Sequence, residues 1–212
     1  MEIWQVPYQL QIIEAGAGRS PGLHVSEVIR DLAVRGGQLD KKYVDADLSP
    51  EKIELGLAWE ERVAKHHPEI CFHPGEMQVD GISMSVDGIS YIEPDEVSIF
   101  TVDGVGALHE FKLTWKSSKK DISGEWMWLT QIKSYLHGMS VTSKPKVTMR
   151  SAFLHVYWVN GDYGWMRGGT GSGSRYEIFG MRFTDLEIFE NWSMITGHAR
   201  RLKEGTVRVK HK

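Results

Sequence analysis

The run Ala107 to Trp115, ALHEFKLTW, most constrains what this chain can fold into. In an extended chain successive side chains point to opposite faces. Leu108, Glu110, Lys112 and Thr114 then share one face, and His109, Phe111, Leu113 and Trp115 the other. The Glu110 carboxylate and the Lys112 ammonium therefore stand side by side on a strand. A second apolar, β-branched run, Ile82 to Ile92, surrounds Asp87-Gly88 and reads as a neighbouring strand. Paired strands lie about 4.7 Å apart, which would set Asp87 across from Glu110 and Lys112. Two carboxylates gathered at a strand pair require a cation, and hard oxygen ligands suit Mg²⁺ or Mn²⁺. A lysine beside them would orient or deprotonate a water. The competing reading is a surface ion pair of Glu110 with Lys112.

Helices and further strands are expected on both sides of these runs. Ser26 reads as the N-cap of an amphipathic helix over Glu27 to Val34, with Val28, Ile29 and Leu32 inward. Arg19, His24 and Ser26 gather at that helix start, where amide N–H groups attract a phosphate. Ser49-Pro50 opens a second helix that runs to about His66. Pro74 to Val79 is a short strand. Ser117 to Gly124 is a polar loop which, with Lys116, Lys119 and Lys120, would emerge beside the carboxylates. A third helix spans Glu125 to Gly138, with Trp128, Gln131, Ile132 and Tyr135 at i, i+3, i+4 and i+7. Thr148 to Asn160 is apolar on both faces and reads as a central strand. Arg175 to Phe183 returns as a strand. Thr184 with Glu187 opens a last helix to Ala199, packing through Leu186, Ile188, Phe189, Trp192 and Ile195.

The order Asp87…Glu110-x-Lys112…Gln131-x-x-x-Tyr135 resembles the PD-(D/E)xK nuclease superfamily. Its motif order is closest to the RecB-like and lambda-type (YqaJ-like) phage exonucleases. The resemblance covers roughly residues 50 to 200, and Val86 stands where that family often has proline. It implies an α/β fold, a restriction-endonuclease-like core in which helices flank a central mixed sheet. It also implies that Asp87 and Glu110, with the Phe111 carbonyl, hold the metal and that Lys112 is catalytic. Gly56-x-x-x-Glu60 resembles the helix before the sheet in lambda-type enzymes, which implies Glu60 as a further ligand or water holder, with Glu61 in reserve. Gln131 would position Lys112 or the substrate, with Tyr135 supporting it. A serine-rich segment contacts substrate backbone in several phage exonucleases, which implies DNA contacts for Arg19, His24 and Ser26.

Charge placement agrees with a phosphate backbone near carboxylates. The formal net charge is −3, yet Lys112, Lys116, Lys119, Lys120, Lys133, Lys144, Lys146 and Arg150 face only Glu110, Asp121 and Glu125 in residues 110–150. The expected activity is Mg²⁺-dependent hydrolysis of DNA phosphodiesters that leaves 5′ phosphates, with Mn²⁺ able to substitute. The expected substrate is linear double-stranded DNA with a free end, cut by an exonuclease in which copies of the chain could form a ring. Alternatives are a restriction-type or structure-specific endonuclease and a catalytically silent DNA-binding protein.

Other classes are excluded or disfavoured. The glycine-rich Gly161 to Gly173 lacks the Gly-Lys-Ser/Thr of a P-loop, so no nucleotide cofactor is expected. His66, His67, His73 and His109 match no zinc spacing. The single Cys71 excludes an internal disulfide and a cysteine-ligated cluster. No apolar run approaches 18 residues and no charged leader precedes an apolar segment, so a cytoplasmic protein without membrane contact is expected. One domain is expected over 1–212, with 1–48 a less specific N-terminal extension and 200–212 a basic tail.

Overall fold

The computed structural model describes residues 9–10, 21–39, 50–90, 107–144, 148–163 and 173–204. The N-terminal half contains β1 (Gln9–Leu10), β2 (Leu23–His24), α1 (Val25–Arg35), α2 (Pro50–His66) and β3 (Ile70–Phe72). Next come β4 (Glu76–Val79), β5 (Ile82–Ser85), β6 (Gly88–Ser90) and the long β7 (Ala107–Thr114). The C-terminal part contains α3 (Trp126–Thr142), β8 (Ser143–Lys144), β9 (Ser151–Trp158), β10 (Arg175–Arg182) and α4 (Asp185–Lys203).

Among the described residues five strands form the main sheet, in the order β10-β9-β7-β6-β3. β7 and β9 run parallel, with α3 in the connection between them; the other neighbours are antiparallel. A smaller sheet has the order β2-β5-β4, and β1 pairs with β8. The result is an α/β fold with a central mixed sheet flanked by helices, consistent with a restriction-endonuclease-like architecture. Among the described residues no helix is long and apolar enough to cross a membrane.

Alternation along β7 and β9 sorts side chains to two cores. Leu108, Leu154, Val156 and Trp158 face α1, α3 and α4, where they meet Val28, Ile132, Leu136, Ile188 and Trp192. Phe111 and Phe153 face the other way and pack with Ile70 and with Val63 and Trp59 of α2. The Trp59 and Phe111 rings meet edge-on at 5.8 Å. Each such apolar side chain contributes about 1.5–3 kcal/mol when buried. The sheet is thus fixed from both sides, and its position relative to α2 and α3 is fixed with it.

Several expectations are corrected. The run Ile82 to Ile92 is not one strand: β5 and β6 belong to different sheets and separate at Val86-Asp87. The Asp80-Gly81 turn, with φ of 53° and 71°, ties β5 to β4. Gly88 ties β6 to β3, where a Cβ would lie 2.8 Å from Ile70 Cγ2. The part of that run beyond Ser90 lies outside the described residues.

Helix ends differ too. His24, not Ser26, precedes α1, and its N–H donates to Glu27 Oε2 at 3.1 Å, the acid lying three positions on. α3 continues past Gly138 to Thr142, because that glycine serves close packing against Met84 and Met77 rather than termination. α4 begins at the expected Thr184 cap, whose Oγ1 accepts from Glu187 N at 3.2 Å. It buries Ile188, Trp192, Ile195 and Ala199 but leaves Leu186 and Phe189 each 63% exposed. Those two fall off the inward stripe of i, i+4, i+7 and i+11.

Candidate active site

The break between β5 and β6 creates a cleft. Among the described residues β7 pairs with β6 through Ala107–His109, whereas it pairs with β9 from Leu108 to Thr114. Among the described residues no strand covers the β6 side of β7 beyond His109. Asp87 stands at this seam. Its backbone oxygen accepts from His73 N at 2.9 Å, and its Oδ2 accepts from Phe111 N at 3.0 Å. One strand residue sends its N–H and C=O towards the same neighbour, so the Phe111 carbonyl faces the cleft as well.

The cleft has a volume of about 250 Å³. Glu60, Asp87, Lys112, Gln131 and Tyr135 line one part of it, and His24, Ser26, Ser83 and Ser85 another. Inside it the polar groups form a chain. Lys112 Nζ donates to Glu110 Oε1 and, at 3.2 Å, to Gln131 Oε1. Gln131 Nε2 in turn donates to the Tyr135 hydroxyl at 2.8 Å, which i, i+4 spacing on α3 permits. Glutamine on an otherwise apolar stripe is thereby satisfied through both ends of its amide.

The charges do not balance. Asp87 is close enough to raise the proton affinity of both Glu60 and Glu110, Glu60 adds to that of Glu110, and Lys112 is the ammonium among them. Burial, then the charge of Asp87, lifts Glu60 from an ordinary 4.5 to about 7, Lys112 opposing. Burial and Asp87 likewise push Glu110 upward. For Lys112 burial disfavours the ammonium, but Glu110, Asp87 and Glu60 outweigh it and hold its pKa above the usual value.

Glu110 is fully buried, and its Oε2 has no hydrogen-bond partner among the described residues. An orphaned buried carboxylate oxygen costs free energy unless something positive meets it. A hard divalent cation fits that requirement, with Asp87, Glu110 and the Phe111 carbonyl as donors and Glu60 beside them. Among the described residues no three His, Cys, Asp or Glu side chains are grouped to hold a metal on their own. Mg²⁺ commonly makes do with one or two carboxylates, retaining waters and taking substrate oxygens.

The remaining sequence candidates divide. Glu61 points to solvent and pairs with Lys65 at 2.9 Å, leaving Glu60 as the cleft residue of α2. Lys116 pairs with Glu125, Lys120 lies 3.9 Å from the same carboxylate, and Lys119 lies 3.4 Å from Asp162. Arg19 lies outside the described residues. His109 points away from the cleft, as its parity requires, and bonds His155 at 2.8 Å and Ser90 at 2.9 Å.

Sequence reasoning missed Ser83, Ser85 and Glu76. Glu76 is buried 3.5 Å from His24 Nδ1 and accepts from Ser85 Oγ at 3.4 Å, so it steadies His24 at the cleft wall. The alternating serines of Ile82-Ser-Met-Ser85 were a legible signal of one polar strand face.

No protein-family model matches the chain, and no curated protein matches it. Among solved structures it is similar to SSO0001, at 13% identity over 85% of this chain and 78% of that one, with a TM-score of 0.44. It is also similar to LHK-Exo in complex with dAMP, at 15% identity over 87% and 89% of the two chains, TM-score 0.44. A second structure of that alkaline exonuclease, from Laribacter hongkongensis, gives 14% identity over 87% and 89%, TM-score 0.37. The likenesses are distant, and the chemistry of the cleft rests on its own residues.

Proposed function

We propose that this protein is a divalent-metal-dependent deoxyribonuclease, an exonuclease acting on linear double-stranded DNA and leaving 5′ phosphates. The observation that carries the reading is the orphaned Glu110 Oε2 beside Asp87 and the Lys112–Gln131–Tyr135 chain. A Mg²⁺ held by Asp87, Glu110 and the Phe111 carbonyl, with Glu60 adjoining, would polarise the phosphoryl oxygen and offset charge on the leaving 3′ oxygen.

The chain's own groups do the rest. The surrounding carboxylates keep Lys112 an ammonium, so it acts as a donor that orients the attacking water and meets charge growing on the phosphate. Gln131 fixes the Lys112 head and Tyr135 fixes Gln131. Water adds to phosphorus and gives up a proton to solvent, the bond to the 3′ oxygen breaks and that oxygen takes up a proton, and the phosphate stays on the 5′ side. His24 and Ser26, across the cleft at the start of α1, would receive the backbone of the bound strand. Repeated end-first cutting would suit copies of the chain arranged as a ring around the duplex.

The test is a time course with Mg²⁺ on matched linear and covalently closed duplexes, end-labelled on the linear form. Progressive loss of the linear form with survival of the closed circle is expected. Rapid linearisation of the circle would replace exonuclease by endonuclease, and absence of cutting on either would overturn the nuclease reading.

A further inference from the structure

One histidine touches two of the residues placed at the proposed metal centre. His73 N donates to the Asp87 backbone oxygen at 2.9 Å, and its Nε2 lies 3.5 Å from Glu60 Oε2. Glu60 comes from α2 and Asp87 from the seam between β5 and β6, and both line the cleft. His73 therefore spans two separate elements that supply carboxylates to it. On sequence alone it matches no zinc spacing, and the proposed hydrolysis gives it no part.

Core packing brings the pair together. Phe111, between Glu110 and Lys112 on β7, is held by two rings. Phe72 of β3 stacks on it at 5.1 Å, and Trp59 of α2 meets it edge-on. His73 and Glu60 are the residues that directly follow Phe72 and Trp59 in the chain. β3 pairs with β6 as far as Phe72 and Gly88, and the bond from His73 to Asp87 adds one more rung. There the chain leaves the strand.

The backbone at that point is unusual. His73 has a φ of 45°, in the left-handed region that residues with a Cβ rarely adopt. Such a conformation persists only where the surroundings impose it. Apolar burial does not impose it, because the His73 side chain is 63% exposed. What the turn achieves is to set Nε2 against Glu60 while the amide stays on Asp87. A carboxylate only accepts, so the ring nitrogen that faces it carries a hydrogen.

We infer that His73 is a positioning residue of the proposed metal centre: its imidazole braces Glu60 Oε2 and its N–H anchors Asp87, turning both carboxylates towards one divalent cation. The inference rests on the nuclease reading and deepens it. Carboxylates that hold a metal are themselves fixed by hydrogen bonds from an outer residue, and losing such a residue costs about 10- to 100-fold in metal affinity. With Oε2 braced, Oε1 of Glu60 is the oxygen that serves the cation or its water.

The experiment is Mn²⁺ calorimetry at one fixed pH, with denaturant unfolding in a chelator as the control of folding. His73→Gly removes the imidazole and keeps the backbone, since glycine adopts a φ of 45° without strain. It should unfold at the denaturant concentration of wild type or above, yet bind Mn²⁺ about 10- to 100-fold more weakly. His73→Gln, which can present an amide N–H to Glu60, should recover most of the affinity. In a Glu60→Gln background the same His73→Gly change should cost less than about twofold, because the carboxylate that it braces is gone. His73→Gly binding Mn²⁺ as tightly as wild type would overturn the inference, as would His73→Gln binding no better than His73→Gly. So would an undiminished loss in the Glu60→Gln background, which would mean that His73 does not act through Glu60. Wild-type Mn²⁺ binding alongside any of these results confines the failure to His73. A wild type that binds no Mn²⁺ and cuts no DNA would remove the nuclease reading and this one together.

Discussion

Replacing Glu60 by glutamine isolates the unbalanced charge of the cleft. Glu60 has an ordinary pKa of 4.5 and one of about 7 in the folded protein, from burial first and Asp87 second. At about 1.4 kcal/mol per pH unit, ionising it in the metal-free cleft costs about 3 kcal/mol relative to the unfolded chain. The folded value lies above the unfolded one, so the protonated side chain's advantage is present below pH 4.5 and is lost as pH rises through about 7. Glutamine does not titrate. With a chelator, Glu60→Gln should therefore exceed wild type by less than about 1 kcal/mol near pH 5 and by up to about 3 kcal/mol at pH 8.5. Saturating Mn²⁺ should shrink or reverse the gap at pH 8.5, because wild type gains about 2.7 kcal/mol at a metal concentration one hundred times Kd. Denaturant unfolding at both pH values, with and without Mn²⁺, measures all four quantities. An equal difference at pH 5 and 8.5, or one that ignores the metal, would refute the argument that carboxylate charge accumulates here for a cation.

Two further outcomes are expected. Lys112→Ala should bind a short duplex in Ca²⁺ nearly as wild type does, yet cut it at least about 10²-fold more slowly in Mg²⁺; equal losses in binding and turnover would make Lys112 a phosphate contact instead. On the other face of the sheet, burial and then neighbouring histidines lower His155 to about 2, so its contribution to stability is present above pH 6.5 and lost as pH falls towards that value. Between pH 4 and 6 His155→Phe should lose stability less steeply than wild type by about 1.4 kcal/mol per pH unit, and parallel curves in denaturant titrations would contradict this.

Much of the site was legible because its rules are local. Alternation in Ala107–Trp115 does not depend on what a strand packs against, so Glu110 and Lys112 could be set on one face from sequence alone. The i, i+4 spacing of Gln131 and Tyr135 likewise survives in their 2.8 Å bond. Glu60 was preferred to Glu61 by resemblance, and the fold sets the first in the cleft and the second against Lys65.

What was not legible depends on contacts between distant segments. An apolar run reads the same whether it stays in one sheet or changes sheets, and beyond Val86-Asp87 the chain pairs with the distant β3, Gly88 lying against Ile70. The pairing of Glu76 with His24 joins residues 52 positions apart in sequence, and nothing beside either one announces it. Leu186 and Phe189 were misassigned to the core although the period of α4 excludes both.

The proposed nuclease activity requires that Glu110 and Asp87 form a divalent-metal site. The most direct measurement is hydrolysis of an end-labelled linear duplex by wild type and Glu110→Gln across a Mg²⁺ titration, with Mn²⁺ calorimetry on the same two samples. Wild type should bind Mn²⁺ and release label in proportion to Mg²⁺ occupancy. Glu110→Gln should stay folded, lose the calorimetric signal and release no label. Undiminished cutting or Mn²⁺ binding by Glu110→Gln would mean that the metal, if any, sits elsewhere and that Glu110 is not a ligand.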